Sequence, residues 1–408
     1  MKNLLVGENL VEMPFIIVTI GGYTFGKFSK DIGTTMNVSF PNMLDSMTVQ
    51  KVNGLINNYS LKMIYAIRPG DDPNMIEKIL GISAQQSRSI SITYGDYSQP
   101  NYIYRDEEAM ITNITSQIDF KSSKITYNIS AVSNSYKAQS ASYDFESATA
   151  KPSDLIKATL KDSKYGLNDI FKGMNASNID EYIKGDDKTV SVPAMTCNPL
   201  VRITNLISYM QPLDAPQNGD LGYDTYTVKV VDDRANGAHF EVVKIPYSQA
   251  ANSNTVRSAD SFEVNIGYPD NNYVVNFAVN NENVYSILYN YNGVVNTNNN
   301  QYRINDQGKI EVTSTPIIAT NKAIREATAA SKNWWNAMTT FPVTATLTLK
   351  GLLKPSILMD QLYIHSYFYG VKHTSSGIYV ITKHVDTIDA SGYRTTLNLT
   401  RIGGSTIW

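Results

Sequence analysis

The chain has 408 residues, a formal net charge of −2 and a charged fraction of only 18%. This length exceeds one ordinary hydrophobic core and predicts two to four domains. The near-neutral charge argues against a strong basic surface for nucleic acid or anionic membrane. The single cysteine, Cys197, leaves no partner for a disulfide within the chain, and we expect it to be a small buried hydrophobic residue.

The first third of the chain predicts strands and one helix. Residues 14–28 have the pattern of a strand, a Gly21-Gly22 turn and a returning strand, and residues 59–67 that of another strand. Asp72 is predicted to cap a helix over 73–86, with Pro73 at its first position. Strand-like alternation returns at 89–94 and 109–132.

The middle of the chain predicts short helices. The stretch 134–153 is polar and without periodicity, which indicates a linker and a domain boundary. Helices are predicted from Pro152 to Leu160, over 167–174, and over 200–210 after Asn198-Pro199. Short strands are then predicted at TYTVKVV (225–231) and HFEVVKI (239–245).

The last third returns to strands. Residues 261–280 alternate, residues 292–301 are predicted to be a loop, and strands follow from Phe341 onward. Between them, a helix from Asn321 to about Met338 carries Trp334 and Trp335. Adjacent tryptophans on a helix point in different directions, so we expect core or inter-subunit packing here instead of a sugar-binding platform.

An internal repeat is the most informative feature of the sequence. Residues 111–132 (ITNITSQIDFKSSKITYNISAV) and 381–402 (ITKHVDTIDASGYRTTLNLTRI) align without a gap at an offset of 270 residues, from 111 to 381. The alignment pairs Asp119 with Asp389 and Asn128 with Asn398, and we expect these four residues, with Trp334 and Trp335, to be assembly positions. Each segment predicts a two-stranded hairpin whose turn follows an Ile-Asp pair, with the asparagine on the polar face.

The repeat extends upstream to two basic-proline sequences, Arg68-Pro69 and Lys354-Pro355. The first proline lies 42 residues before the shared isoleucine (69 to 111), and the second lies 26 residues before it (355 to 381). The difference of 16 residues is the length of a short helix. We therefore expect the first copy to contain a helix that the second lacks.

The sequence shows no motif typical of catalysis or metal binding. The sequence contains no phosphate-binding glycine loop, no nucleophile elbow and no Cys/His cluster with metal spacing. A site built from His365, His373 and His384 is less expected than three ordinary strand histidines. The acidic residues show no spacing that selects a glycosidase pair. We predict no catalytic residue, no metal and no cofactor.

Three parts of the chain resemble bacteriophage tail hub and baseplate hub proteins: Pro14 to Phe28, KPSDLIKATLKDSKYG (151–166), and a final stretch made of the helix with Trp334-Trp335, PVTATLTLKGLLKP (342–355) and SGIYVITKHVDTIDASGYRTTLNLTRIG (376–403). The composition, rich in Asn, Ile and Tyr, is typical of AT-rich phage genomes such as those of the crAss-like group. The resemblance implies a mainly β (α+β) fold with two tail-tube-like antiparallel β-barrel domains and smaller helix-containing domains between them. The expected domains are 1–148, 149–260 and 261–408.

The resemblance also implies a role and partners. Such hubs join the tail tube or an adaptor to a spike or distal tail protein, and they self-associate as trimers with pseudo-sixfold symmetry. A hexamer stays open as an alternative. DNA is implied only in transit through the channel, with no membrane partner. The implied location is the virion tail, assembled in the host cytoplasm.

Three other interpretations stay open on the sequence. A carbohydrate- or receptor-binding surface protein accounts for the aromatic-rich β character, but would normally bring a signal peptide or fibre-like repeat, and Glu8 and Glu12 interrupt the apolar N-terminal run. A glycan hydrolase requires a carboxylate pair in a cleft. An outer-membrane barrel conflicts with the predicted helices and long polar loops.

Overall fold

The computed structural model describes residues 4–5, 11, 13–28, 38–41, 43–52, 56–81, 89–96, 103–167, 179–183, 189–210, 225–231, 239–245, 262–267, 273–281, 294–297, 300–304, 310–314, 343–352 and 358–401. Strands predominate in these ranges, and the predicted mainly β fold is confirmed. The predicted helix with Trp334 and Trp335 lies outside the described residues, as does the predicted helix 167–174 apart from Leu167.

The N-terminal third forms nine strands and one helix among its described residues. They are β1 (Leu4–Leu5), β2 (Pro14–Ile20), β3 (Tyr23–Phe28), β4 (Phe40–Pro41), β5 (Leu44–Val52), β6 (Asn58–Ala66), α1 (Met75–Leu80), β7 (Ser89–Asp96), β8 (Ile103–Asp119) and β9 (Lys124–Ser133). The predicted Gly21-Gly22 turn joins β2 to β3. Both glycines have positive φ, as a tight two-residue hairpin turn requires.

The middle third alternates short strands and helices. They are α2 (Lys137–Ser140), β10 (Tyr143–Phe145), β11 (Ala148–Ala150), α3 (Pro152–Lys161), α4 (Ile179–Tyr182), β12 (Val190–Val192), β13 (Met195–Cys197), α5 (Pro199–Tyr209), β14 (Thr225–Val231) and β15 (His239–Ile245). As predicted, a helix follows Asn198-Pro199, and the Asn198 side chain caps it by accepting the Val201 N–H at 2.9 Å.

The C-terminal third contains ten described strands. They are β16 (Phe262–Ile266), β17 (Val274–Asn281), β18 (Val294–Thr297), β19 (Asn300–Ile304), β20 (Ile310–Ser314), β21 (Val343–Lys350), β22 (Gln361–Phe368), β23 (Val371–Lys372), β24 (Gly377–Asp389) and β25 (Gly392–Arg401). No helix among the described residues is long and apolar enough to cross a membrane.

Three local predictions were wrong. Helix α1 begins at Met75, and Asp72 does not cap it but accepts the Asn74 N–H at 2.9 Å. The predicted linker 134–153 contains α2, β10 and β11, whose two strands pair with β13 and β12. The predicted loop 292–301 contains β18 and the start of β19, which pair with each other. In the predicted linker, β10 and β11 pair with strands that are distant in sequence. In the predicted loop, β18 pairs with the neighbouring β19. Neither pairing can be recognised from the polar composition of the stretch itself.

A single 16-stranded sheet contains both halves of the predicted repeat. Its main path runs β1-β16-β22-β24-β5-β6-β9-β8-β7-β2-β3-β4, and β17 and β21 join it through β25. Two sets of five strands have the same neighbour order. We call β5-β6-β9-β8-β7 the first copy and β17-β21-β25-β24-β22 the second copy.

The pairing registers define how the two copies correspond. The first strand of the repeated hairpin keeps the predicted offset of 270. In β8, Met110 pairs with the first residue of β7, Ser89. In β24, Val380, which lies 270 residues later, pairs with the first residue of β22, Gln361. The second strand does not. The last pairs of the two hairpins are Asp119–Lys124 and Asp389–Gly392, so its offset is 268. The gap-free alignment was therefore wrong by two residues after the turn.

Matching β-bulges support the correspondence. Strand β8 bulges at Thr112 and β24 bulges at Thr382, and each hydroxyl donates across the hairpin at 3.2 Å, to the carbonyls of Ser130 and Asn398 respectively. A second pair of bulges interrupts β5 between Leu44 and Ser46, and β17 between Val274 and Asn276. Bulges re-aim strands at fixed positions, so two shared ones indicate a duplicated unit.

Three main hydrophobic cores lie in the described part of the chain. One is formed by the first copy with β2 and β3, one by the segment from Ala138 to Val242, and one by the second copy with Val264. In β9 the alternating residues Ile125, Tyr127, Ile129 and Ala131 are all buried, as expected for one face of a strand. The domain boundaries near 148 and 260 stay a prediction.

Candidate assembly site: the seam between the two copies

The repeated aspartates close hairpin turns. The Asp119 carboxylate accepts the Lys121 N–H at 2.9 Å, and the Ser122 hydroxyl donates to it at 2.6 Å. These bonds, with the Ser122 hydroxyl first among them, hold the pKa of that carboxyl below its usual range. Asp389 accepts the Ser391 N–H at 2.7 Å as well as the Ser391 hydroxyl, and its pKa is lowered chiefly by that hydroxyl. Both residues therefore stabilise turns.

The repeated asparagines are exposed on the polar face of the sheet, as predicted. Asn128 lies between Lys62 and Thr115, and Asn398 lies between Thr346 and Lys383. With the corrected offset, Asn128 corresponds to Thr396 and Asn398 corresponds to Ser130. The two asparagines are thus not structural counterparts, and a role for either in assembly stays a prediction.

A continuous strand pairing joins the two copies, and we call it the seam. Residues 383–388 of β24 pair antiparallel with residues 47–52 of β5, from Lys383 opposite Val52 to Ile388 opposite Met47. Strand β24 reaches across because it is long. Its first part pairs with β22 and its second part passes beyond the end of that pairing. One strand is therefore shared between the two copies.

Apolar side chains of the second copy pack into the core of the first copy and stabilise the seam. Ile388 and Tyr393 lie at the end of the β24–β25 hairpin and are 2% and 5% exposed. Both pack in the core of the first copy, where the Tyr393 ring lies 6.5 Å from the Tyr94 ring between centroids. Gly351 makes room for this ring, since a Cβ there would lie 2.4 Å from the Tyr393 Cγ.

A buried carboxylate organises the first-copy side of the seam. Glu107 on β8 is 2% exposed and forms an ion pair with Lys51 of β5. It also accepts the Tyr59 hydroxyl, and the Tyr94 hydroxyl at 3.3 Å. Burial of a carboxylate is costly unless a cation and hydrogen bonds compensate it. The Lys51 backbone lies directly opposite His384, so this cluster borders the seam.

A second buried polar group lies on the other side of the seam. His384 Nε2 lies 2.6 Å from Asp386 Oδ1, and the Thr395 hydroxyl donates to that same oxygen at 2.8 Å. The Thr395 hydroxyl oxygen also accepts the Leu352 N–H at 2.9 Å. The residue types resemble a hydrolase triad, but His384 and Asp386 are each only 1% exposed and offer no access to a substrate. The arrangement is suited to fixing β24 against β25.

Sequence reasoning missed both polar groups. Glu107 and Asp386 each lie in a strand whose side chains alternate between two faces, and only their positions on the inward face indicate that they are buried. Of the three histidines considered as metal ligands, His384 binds Asp386 and His373 contacts Ser375. No group of three or more His, Cys, Asp or Glu side chains suited to a metal occurs among the described residues.

Phe368, Tyr369 and Val371 are highly exposed at the tip of the β22–β23 hairpin. Cys197 is half-buried instead of fully buried as expected, and desolvation raises the pKa of its thiol. Raising the pKa disfavours the thiolate, which is the reactive form.

Comparison with known proteins gives matches in structure alone. No protein-family model matches the chain, and no curated protein matches it in sequence. The solved structures that match over nearly their whole lengths include two tail proteins. The 43 kDa tail protein of prophage MuSo2 from Shewanella oneidensis has a TM-score of 0.51 and 10% identity, covering 95% of this chain and 98% of its own. A tail protein from Neisseria meningitidis MC58 has a TM-score of 0.50 and 8% identity, covering 95% and 96%. The chain shares the fold of these tail proteins.

Proposed function

We propose that this chain is a structural protein of a phage tail, the hub that joins the tail tube to the distal tail or spike. The observation that carries the proposal is the duplicated five-stranded unit, continuous across the seam, in a chain that matches a prophage tail protein over 95% of its length. A duplicated unit of this kind suits a part that meets both a threefold and a sixfold neighbour, because three chains present six similar units.

The proposed assembly is a trimer with pseudo-sixfold symmetry around a channel. Its proposed partners are the tail tube or an adaptor on one face and a spike or distal tail protein on the other. DNA passes only in transit, and the protein belongs to the virion tail after assembly in the host cytoplasm. The near-neutral charge of −2 suits a channel that does not hold DNA tightly.

The proposed role is not enzymatic. Among the described residues, His384, Asp386 and Thr395 resemble a catalytic group in residue type, but they are buried at the seam, where they bind one another and fix β24 against β25. The repeated aspartates bind their own turns. Any wall-degrading activity in the tail would belong to another protein.

Light scattering and negative-stain electron microscopy on the purified chain test the proposal. We expect a species near three times the chain mass of 45.3 kDa, seen as a ring with six lobes. Incubation with purified tail tubes should place this ring at one tube end. A chain that stays monomeric with tubes present, and that hydrolyses or tightly binds polysaccharide, would favour the glycan hydrolase or the carbohydrate-binding alternative.

A further inference from the structure

The seam uses two strand edges that have counterparts elsewhere in the same chain. On β24 the paired residues are 383–388, and at the offset of 270 they correspond to 113–118 of β8. On β5 the paired residues are 47–52. The shared bulge shows that Leu44 of β5 corresponds to Val274 of β17. Residues 47–51 of β5 therefore correspond to residues 277–281 of β17. Each copy therefore has one edge of each kind.

The two counterpart edges have no strand partner among the described residues. Strand β8 pairs with β7 only through residues 103–110, so no described strand lies on the other side of residues 114–118. We call these residues the β8 edge. Among the described strands, β17 pairs with β21 on one side and with none on the other, and we call its residues 277–281 the β17 edge. Open edges of this kind are templates for pairing with another chain.

Ile118 on the β8 edge is more exposed than its counterpart at the seam, as expected for an edge without a partner strand among the described residues. Ile118 corresponds to Ile388. Ile388 is 2% exposed in the seam, whereas Ile118 is 51% exposed, and the adjacent Phe120 is 87% exposed. An isoleucine and a phenylalanine at the end of a hairpin are thus held in solvent at the position where the second copy inserts its own apolar residues.

The composition of both edges favours pairing. Residues 112–118 (TNITSQI) and 274–281 (VVNFAVNN) contain no charged residue and no proline. Exposed edge strands normally carry lysine, inward-pointing charges or proline, which prevent association. Neither edge has this protection, so both suit a protein partner.

From this correspondence we infer that the β8 edge of one chain pairs antiparallel with the β17 edge of a second copy, in the register of the seam. Ile118 then lies opposite Phe277, Ser116 opposite Val279, and Ile114 opposite Asn281. The contact repeats, between chains, the geometry that already joins the two copies within one chain. This inference rests on the proposed function, and it names the surface by which the ring would close.

The inferred contact differs chemically from the seam. In the seam, His384 and Asp386 form a buried polar group, whereas their counterparts on the β8 edge are Ile114 and Ser116. Lys51, which binds Glu107, corresponds to Asn281. The ring would therefore alternate polar seams within chains and uncharged contacts between chains. Because the two edges of a chain differ, association is head-to-tail and leads to a ring or an open filament.

Directed disulfide formation tests both the partner and the register. Residues opposite each other in an antiparallel pair have Cα atoms about 4.5–5.5 Å apart, which a disulfide can span. The test uses the full chain with Cys197→Ser as background, carrying Ile118→Cys and Phe277→Cys together. Under mild oxidation we expect ladders of linked chains on non-reducing gels, ending at the ring size. Ile118→Cys with Ala278→Cys is the matched control, since that cysteine lies one residue out of register on the other face.

The outcomes separate this inference from the proposed function. Linked chains with the first pair, and about tenfold less with the control pair, support the inference. Rings without cross-links in the first pair overturn it but leave the hub standing. Cross-linked open filaments without rings support the edge contact and count against the hub. Equal cross-linking in both pairs also overturns the inference, because it shows random collision.

Discussion

Removing the Glu107 carboxylate is expected to loosen the first-copy side of the seam. Glu107→Ala leaves the Lys51 ammonium, on a side chain only 16% exposed, without its carboxylate. It also removes the acceptor of the Tyr59 and Tyr94 hydroxyls. Removing one partner of a buried ion pair costs about 3–5 kcal/mol, mostly because the remaining charge stays buried.

This cost translates into local exchange rates. Glu107→Gln keeps an oxygen acceptor and loses the charge, so we expect about 1.5–3 kcal/mol for it. At about 1.4 kcal/mol per factor of ten, Glu107→Ala should speed amide exchange in β5 by about 10²-fold or more. The control is Lys78→Ala, which breaks the exposed ion pair with Asp72 and should cost less than about 1 kcal/mol.

Hydrogen–deuterium exchange followed by mass spectrometry is the suitable assay. It resolves β5 and β24 separately, whereas a single unfolding free energy is poorly defined for a chain with several cores. Faster exchange should appear in β5 and β24 and be absent from α5 in the middle core. If Glu107→Ala exchanges like Lys78→Ala, the ion pair does not hold the seam and the reasoning fails.

Three smaller predictions follow from single positions. Gly351→Ala brings a Cβ to 2.4 Å from the Tyr393 ring and should cost about 1–3 kcal/mol, seen as faster amide exchange in β25. Ile388→Ala opens a cavity at the seam and should cost about 2–5 kcal/mol, seen as faster amide exchange in β24, while Phe368→Ala at an exposed tip should leave the exchange of β24 unchanged. Asp119 has a lowered pKa, so its turn is stabilised above the unfolded value near about 3.9 and that stabilisation is lost as the pH falls through the folded value. The difference in amide protection of the β8–β9 hairpin between the wild type and Asp119→Asn should therefore shrink below about pH 4, and a difference that is constant down to pH 2 would contradict the assignment.

The sequence determined most strands and the existence of the duplication. Alternation in 124–132 identified the buried face of β9, because a strand projects successive side chains to opposite sides. The offset of 286 between Pro69 and Pro355 is the offset of the pairing itself, in which Lys62 opposite Asn128 corresponds to Thr348 opposite Thr396. Both signals can be read from the sequence, because alternation depends on neighbouring residues and an offset depends only on the distance along the chain between matching positions.

Only the tertiary structure decided the register after the turn. The sequence alignment placed Asn128 with Asn398, but the first hairpin has a four-residue turn and the second a two-residue turn. A shift of two residues keeps every side chain on its face, so alternation cannot detect it. The backbone hydrogen bonds show this shift of two residues, because they identify which residue pairs with which on the two sides of each turn.

The seam also came only from the structure. Ile118 and Ile388 occupy the same place in the repeat, and nothing local distinguishes them. One is buried and the other exposed, because the second copy has a neighbouring strand in the same chain and the first copy has none there among the described residues. Burial depends on which distant strands meet, and that is decided by the sum of packing over the whole sheet.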